Sequence, residues 1–242
     1  MQITLKDKTV LVTGGAKRVG RELALAAAQI GANVIVHHAH SPVEAEKTVG
    51  EIAALGGQAW MLEGDLSDKA HTCTLIERAW AIQPLYALVN SAAIFEPLTF
   101  RETTLEQWQK HLDINLTAPF LLSQAFAKMM PAGVAGRIIN IVDWRALRPG
   151  ADHFAYTISK AALADMTKSM AVALAPDITV NALALGAILP PSTGGSPDIL
   201  KNVPIKRWAN MDELRQTIQF LLQGPAYITG EIIHLDGGRH LV

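Results

Sequence analysis

Short apolar runs rich in β-branched residues recur along this chain, each followed by a stretch of helical periodicity, and that alternation leaves few ways to fold. Strand-like runs stand at Thr9–Thr13, Asn33–His37, Ala59–Leu62, Leu85–Asn90, Ile138–Val142, Thr179–Leu183 and Ile232–Leu235. Helical patterns fill roughly 20–30, 42–55, 68–82, 104–130, 152–175 and 211–222. An apolar strand without polar alternation is buried on both faces, and strands separated by helices pair in parallel because each crossover helix lies over the sheet. The expectation is an α/β fold, a doubly wound parallel sheet of about seven strands with helices on both faces. The chain has 242 residues, 50% of them hydrophobic, enough for one core, so residues 1–242 are read as one domain. Such a sheet binds ligands just outside the carboxyl ends of its strands, and the chemistry is sought there.

Charge and cysteine usage exclude several classes. The formal net charge is -1 and there is no dense Lys/Arg run, so neither nucleic acid nor an anionic membrane surface is an expected partner. Cys73 is the single cysteine, which rules out an intramolecular disulfide and fits a reducing compartment. With no signal peptide or spanning segment in the text, the reading is a soluble, cytoplasmic protein.

The first strand runs into Thr13-Gly14-Gly15-Ala16-Lys17-Arg18-Val19-Gly20 and then a helix. Glycines permit a tight turn, and the helix N-terminus offers amides to a pyrophosphate. A ligand-free βα connection needs the same glycines, but not the two cations Lys17 and Arg18. After the second strand the text is His37-His38-Ala39-His40-Ser41, with no acid before Glu44. An NAD site places a carboxylate there for the ribose hydroxyl. A hydroxyl and imidazoles with Arg18 nearby suit a 2′-phosphate instead, so NADP(H) is expected. The histidines also admit a metal reading, against which stands the absence of Cys or clustered Asp to complete a ligand set, and none is expected. Asp65, in Gly64-Asp65-Leu66-Ser67, can accept from an adenine amino group or cap the next helix, a role open to Ser67 as well. In Asn90-Ser91-Ala92-Ala93-Ile94-Phe95, small residues let a cofactor lie against the backbone, and Phe95 can stack on a flat substrate or anchor the loop. Asn115, polar in an apolar helix, must be paired, and a link to Lys160 is expected.

From Arg137 to Ala162 a buried strand leads through a loop with Asp143, Trp144 and Arg145 into a helix carrying Tyr156 and Lys160 one turn apart. A phenol beside an ammonium is a proton donor of lowered pKa. An ordinary helix face with a Tyr and a Lys would read the same. Trp144 and Arg145 line the site or pack the loop. Residues 190–204, rich in Gly and Pro, read as a substrate lid or a surface loop, with Arg207 and Trp208 closing the pocket or anchoring that lid.

Together, the Thr13–Gly20 turn, Asp65, Asn90, Asn115, Tyr156-x-x-x-Lys160, Asn181 and Asp236-Gly237-Gly238 resemble the short-chain dehydrogenase/reductases, a single-domain Rossmann-type family. The resemblance implies that Tyr156 donates the proton, Lys160 holds the nicotinamide ribose and lowers the Tyr156 pKa, and Asn115 anchors a water-mediated relay. It also implies a cofactor contact set of Gly14, Lys17, Arg18, Val19, Gly20, His38, His40, Ser41, Asp65, Leu66, Asn90, Ser91, Ala92, Tyr156, Lys160, Gly186 and Ile188. The carboxamide would meet backbone near Ile188, and the Ala-rich helix 161–175 would build an interface of a homotetramer.

Three departures from the common family pattern narrow the expectation. Arg18 stands for the third glycine of the turn, Asn90-Ser91-Ala92 for Asn-Ala-Gly, and Asp143 for the catalytic Ser thirteen residues before Tyr156. A Ser hydroxyl stabilises the oxyanion of carbonyl reduction, whereas an ionised Asp repels it; a carboxyl group suits a C=N bond, which needs a proton on nitrogen. These features, with the histidine-rich second-strand end and Leu235-Asp236-Gly237-Gly238-Arg239-His240-Leu241, resemble the pteridine reductases and their bacterial dihydromonapterin reductase branch. By that resemblance Arg18, Phe95, Asp143, Trp144 and Tyr156 contact a pterin, reduced by NADPH to the tetrahydropterin. A carbonyl or 3-oxoacyl reductase of the same family and a non-catalytic NADP(H) sensor are the alternatives.

Overall fold

Alternate residues of each strand belong to different cores, and this parity sets the layering. The structure, a computed structural model, describes residues 4–190 and 197–242. In β1 (Thr9–Val12), Val10 and Val12 join one core and Leu11 the other; in β2 (Asn33–His38), Val34 and Val36 separate from Ile35 in the same way. The remaining strands are β3 (Ala59–Glu63), β4 (Leu85–Asn90), β5 (Gly136–Asp143), β6 (Ile178–Leu185) and β7 (Ile232–Leu235). All seven form one sheet in the order β3-β2-β1-β4-β5-β6-β7, every neighbouring pair parallel. Strand order reverses between β1 and β4, so the loops after these two strands flank the expected ligand crevice.

One face packs against α1 (Arg18–Gln29), α2 (Pro42–Ala54) and α7 (Met211–Gln223), through residues such as Leu23, Ile52 and Ile218. The other carries α3 (Lys69–Ile82), α5 (Ala118–Met129) and α6 (Phe154–Leu174), through Leu75, Phe126 and Leu163. Each buried Leu, Ile or Phe contributes about 1.5–3 kcal/mol by leaving water. Arg137 is buried at the start of β5 with no acid beside it among the described residues. It donates to the Tyr86 hydroxyl at 2.7 Å, the Leu221 carbonyl at 2.9 Å and the Gly224 carbonyl at 2.6 Å, tying the sheet to the negative end of α7. No helix of the described residues is long and apolar enough to cross a membrane.

Two helical expectations need correction. The single helix expected over 104–130 is α4 (Leu105–Leu112) and α5, joined by a π-turn at Asp113–Thr117. Pro119 lacks the N–H that would bond the Asn115 carbonyl, so the ladder breaks there. Helix α6 begins at Phe154 rather than 152 because His153 is left-handed, with φ 53.

Candidate active site

The turn after β1 is held open by hydrogen bonds that come from elsewhere in the sheet. The Thr13 hydroxyl accepts from the amides of Ser91 and Ala92, at 2.9 and 3.1 Å, and so pins the turn to the exit of β4. Gly14 has φ +63, and a Cβ there would stand 2.9 Å from the Ala92 Cα, so the two loops touch backbone to backbone. Gly20 is closer still: its Cβ would meet the Gly14 carbonyl oxygen at 2.1 Å. Among the described residues no side chain caps α1, whose first-turn amides at Arg18, Val19 and Gly20 can meet a ligand. Lys17 and Arg18 are exposed beside them. Arg18 sits at φ 52, a conformation that favours glycine, and its guanidinium donates to the Pro190 carbonyl at 3.1 Å. Free amides, a close-packed glycine turn and two cations fit a dinucleotide pyrophosphate.

The second-strand histidines do not behave as one cationic group. The Gly14 amide donates to His37 Nδ1 at 3.2 Å and His37 Nε2 faces the Gly64 carbonyl at 2.9 Å, so only the neutral Nε2–H tautomer satisfies both. Burial brings its pKa down to about 4. His37 is thus a neutral brace between the cofactor turn and the loop after β3, a correction to its reading as a potential cation. His38 is buried with Nδ1 unpartnered. His40 is largely exposed and lies 3.6 Å from Asp65. Ser41 is buried at the start of α2. Asp65 accepts from the Ser67 amide and hydroxyl, which hold its carboxyl below the usual range. Neither of these residues caps α3; Asp68 does, accepting from the Ala70 and His71 amides. Leu66 is buried. The Asn90 side-chain amide is taken up inside the fold by Asn140 at 2.9 Å and Ser123 at 3.3 Å. Across the sheet, a Cβ on Gly186 would stand 2.5 Å from the Asp236 Cα, and Ile188 is buried just beyond.

Beyond β5 the structure gathers Asp143, Tyr156 and Lys160. The Tyr156 hydroxyl donates to Asp143 Oδ2 at 3.3 Å, while Asp143 Oδ1 accepts from the Arg145 amide at 2.9 Å. Burial raises the Asp143 carboxyl above its ordinary value, against opposing pulls from Arg145 and Lys160. Tyr156 also departs from expectation. Burial first, then the Asp143 charge, push its phenol well above the ordinary value rather than below it. Lys160 does not offset this: its Nζ is 5.9 Å from the ring centroid and donates to the Ile141 carbonyl at 2.7 Å. Burial brings the Lys160 ammonium down to about 8. Asn115 makes no direct bond to Lys160. Its side chain bonds both backbone groups of Ile94, at 2.9 and 3.0 Å, and the Ser159 hydroxyl at 3.1 Å. The need for partners at a buried amide was readable; Ser159, 44 residues away, was not.

Phe95 stacks on His153, centroids 3.9 Å apart, and stands edge-on to Tyr156 at 4.6 Å. Trp144 has the guanidinium of Arg145 at 4.8 Å from its ring centroid and that of Arg239 at 4.2 Å. His153 and Arg239 were not among the expected site residues. The left-handed conformation of His153 left no residue-type signal, and Arg239 is remote in sequence. Of the expected lid, residues 191–196 lie outside the described residues, and the rest includes a 3-10 turn at Pro197–Asn202. Arg207 pairs through both nitrogens with Glu213 in the first turn of α7, so it anchors the chain there.

The comparisons with known proteins agree with this geometry. A family model described as enoyl-(acyl carrier protein) reductase matches residues 14–240. A 3-oxoacyl-[acyl-carrier-protein] reductase of Synechocystis sp. is 35% identical over 240 residues, 97% of each chain. The crystal structure of FolM alternative dihydrofolate reductase 1 from Brucella canis, complexed with NADP, is 32% identical with a TM-score of 0.92, covering 99% of this chain and 96% of that one. A short chain dehydrogenase from Burkholderia cenocepacia in complex with NADP superposes with a TM-score of 0.90 at 30% identity, over 98% and 99% of the two chains. With the glycine turn, Asn115, Tyr156 and Lys160 assembled on a seven-stranded parallel sheet, the chain belongs to the short-chain dehydrogenase/reductase family.

Proposed function

We propose that this protein is an NADPH-dependent reductase of a pterin ring, taking the C=N bond of a dihydropterin to the tetrahydropterin. The observation that carries the reading is Asp143, hydrogen-bonded to Tyr156 where the family pattern has a Ser. NADP(H) as cofactor is supported by the uncapped first turn of α1, by Lys17 and Arg18, by the second-strand end without a carboxylate, and by NADP in similar structures. The similar FolM proteins are named as alternative dihydrofolate reductases, and dihydrofolate is itself a dihydropterin.

Bound NADPH would supply the hydride that the ring carbon receives. Tyr156, kept protonated by burial, gives its proton to the ring nitrogen, and Asp143, whose carboxyl burial disposes to hold a proton, returns one to the phenolate and takes its replacement from solvent. Lys160, fixed on the Ile141 carbonyl, would hold the ribose. Asn115 fixes the Ile94 backbone and Ser159, and with them the end of the proton relay. Phe95 and Trp144 would hold the flat substrate. The protein works as a cytoplasmic homotetramer in this reading, supported by the exposed Phe120 on α5 and Val172 on α6.

Reduction of a 3-oxoacyl thioester is the second reading, favoured by the names of the curated relatives. Against it stands the carboxyl group of Asp143 where an oxyanion would form. The test is NADPH oxidation by purified protein with a 7,8-dihydropterin and a 3-oxoacyl thioester in parallel. Turnover of the dihydropterin is expected. Turnover of the thioester alone would establish the second reading, and tight NADPH binding with no turnover of either would point to a sensor.

A further inference from the structure

We infer that Asp152 is a positioning residue of the reaction, drawing the Arg145 guanidinium away from Asp143 so that a carboxyl group and not an ion-paired carboxylate stands behind Tyr156. Its role rests on the proton return proposed for Asp143 and supplies the residue that sustains it.

Asp143 has charged or titratable neighbours on three elements. Tyr156 and Lys160 face it from α6, Arg145 from the 3-10 turn Trp144–Ala146 after β5, and Arg239 from the turn Arg239–Leu241 after β7. Lys160 donates to the Ile141 carbonyl, and Arg239 lies over the Trp144 ring. Arg145 is the cation at the carboxyl group itself: its Nη1 stands 3.7 Å from Asp143 Oδ1, an ion-pair distance just beyond a hydrogen bond. A guanidinium that close favours the ionised form of a carboxyl group, and a forked pair would fix it there.

Asp152 takes the guanidinium instead. Its Oδ2 accepts from Arg145 Nη2 at 2.8 Å and faces His153 Nδ1 at 2.9 Å. Among the described residues the buried Arg145 Nε has no partner, so no fork closes on Asp143. The loop is shaped to keep Asp152 in this place. A Cβ on Gly150 would stand 2.8 Å from Asp152 Oδ1, and only a glycine there leaves the carboxylate its space. His153 has the left-handed backbone, φ 53, and its ring is fixed by stacking on Phe95 at 3.9 Å, which holds Nδ1 against the same Asp152 oxygen.

One cation therefore stands between two carboxyl groups and serves the outer one. Partial burial opposes ionisation of Asp152, but the Arg145 hydrogen bond and charge, and then His153, bring it down to about 2. Asp143 moves the other way, raised by burial against the Arg145 charge. Seen from Asp143, Arg145 joined to an ionised Asp152 is close to a neutral pair, and its pull toward the carboxylate is weakened. After Tyr156 has protonated the ring nitrogen, the O–H bond of the Asp143 carboxyl breaks and that of the phenol re-forms, and solvent returns one proton to Asp143. Without the Asp152 charge, Arg145 would keep Asp143 ionised and the phenolate would have no donor beside it.

Infrared difference spectra of the NADP-loaded full chain, titrated with acid and base, report the protonated Asp143 through the carbonyl band that Asp143→Asn removes. Asp152→Asn keeps an acceptor for Arg145 and loses the charge, and should move the midpoint of that band about one pH unit toward acid. Asp152→Glu should titrate as the wild type does, and Arg145→Gln added to Asp152→Asn should bring the midpoint back. With a 7,8-dihydropterin at neutral pH, kcat of Asp152→Asn should fall about tenfold at unchanged KM. An unmoved midpoint, a shift that Arg145→Gln leaves in place, or a wild-type band already gone where an ordinary carboxyl group ionises would overturn the role. So would an unchanged kcat in a protein that does reduce the dihydropterin. The expected band shifts in a protein that reduces no dihydropterin would leave Asp152 acting on Asp143 and remove the pterin reading alone.

Discussion

Lys160 and Asp143 share a buried site, and burial governs both more strongly than their mutual attraction. Burial brings the Lys160 ammonium down to about 8, so its charge, and the charge-assisted strength of its bonds to a ribose and to the Ile141 carbonyl, is lost as pH rises through that value. The kcat/KM for NADPH-dependent reduction should therefore fall above about pH 8, and a flat profile to pH 9.5 would contradict this. For Asp143 the folded pKa lies above the unfolded one, so the stability associated with its protonated form is lost as pH rises through the folded value. Asp143→Asn removes the buried charge and keeps an acceptor for the Arg145 amide. We expect this variant to melt at or above the wild-type temperature at pH 8 while turnover falls about a hundredfold, checked by thermal unfolding beside steady-state kinetics. The identities of Asp143, Tyr156 and Lys160 were legible from spacing. The direction of the Tyr156 shift was not, since it depends on how deeply the helix buries the phenol and on where the Lys160 amine is drawn.

At the scale of elements, the strands and their parallel pairing were readable because parallel strands buried on both faces leave uninterrupted apolar text. What spacing left hidden are the ties between elements: His37 from β2 to the cofactor turn, Asn115 from the π-turn to α6, Arg137 from β5 to α7. Such ties depend on which backbone groups come within reach after folding. Pro119 was the one readable sign that the helix over 104–130 would break. His37 makes its tie sensitive to acid. Its folded pKa of about 4 lies below the unfolded 6.5, so stability is full above 6.5 and is lost as pH falls toward 4. The loss is about 3 kcal/mol at about 1.4 kcal/mol per pH unit, and His37→Gln should flatten that part of the urea-unfolding profile. Arg137→Met leaves the Leu221 and Gly224 carbonyls without their donor and should cost about 3 kcal/mol in the same assay.

For the whole molecule, the parallel run of all seven strands places the loops that follow them at one end, and this much follows from alternation alone. Assembly is a separate matter. Phe120 and Val172 remain exposed on the outer helices, 44% and 84% accessible, and a tetramer would cover them. Val172→Asp combined with Phe120→Asp should lower the mass seen by light scattering from four chains to two or one, and an unchanged mass would remove these helices as the interface. The approach of Arg239 to Trp144, across nearly a hundred residues of chain, likewise belongs to the closed sheet and not to any local pattern.

The most direct test of C=N reduction is the effect of Asp143→Ser on substrate preference. The kcat/KM ratio of a 7,8-dihydropterin over a 3-oxoacyl thioester, measured with NADPH for wild type and variant, should fall at least about tenfold when the carboxyl group becomes a hydroxyl. A ratio that stays constant or rises would contradict the role assigned to Asp143, and with it the proposed reaction.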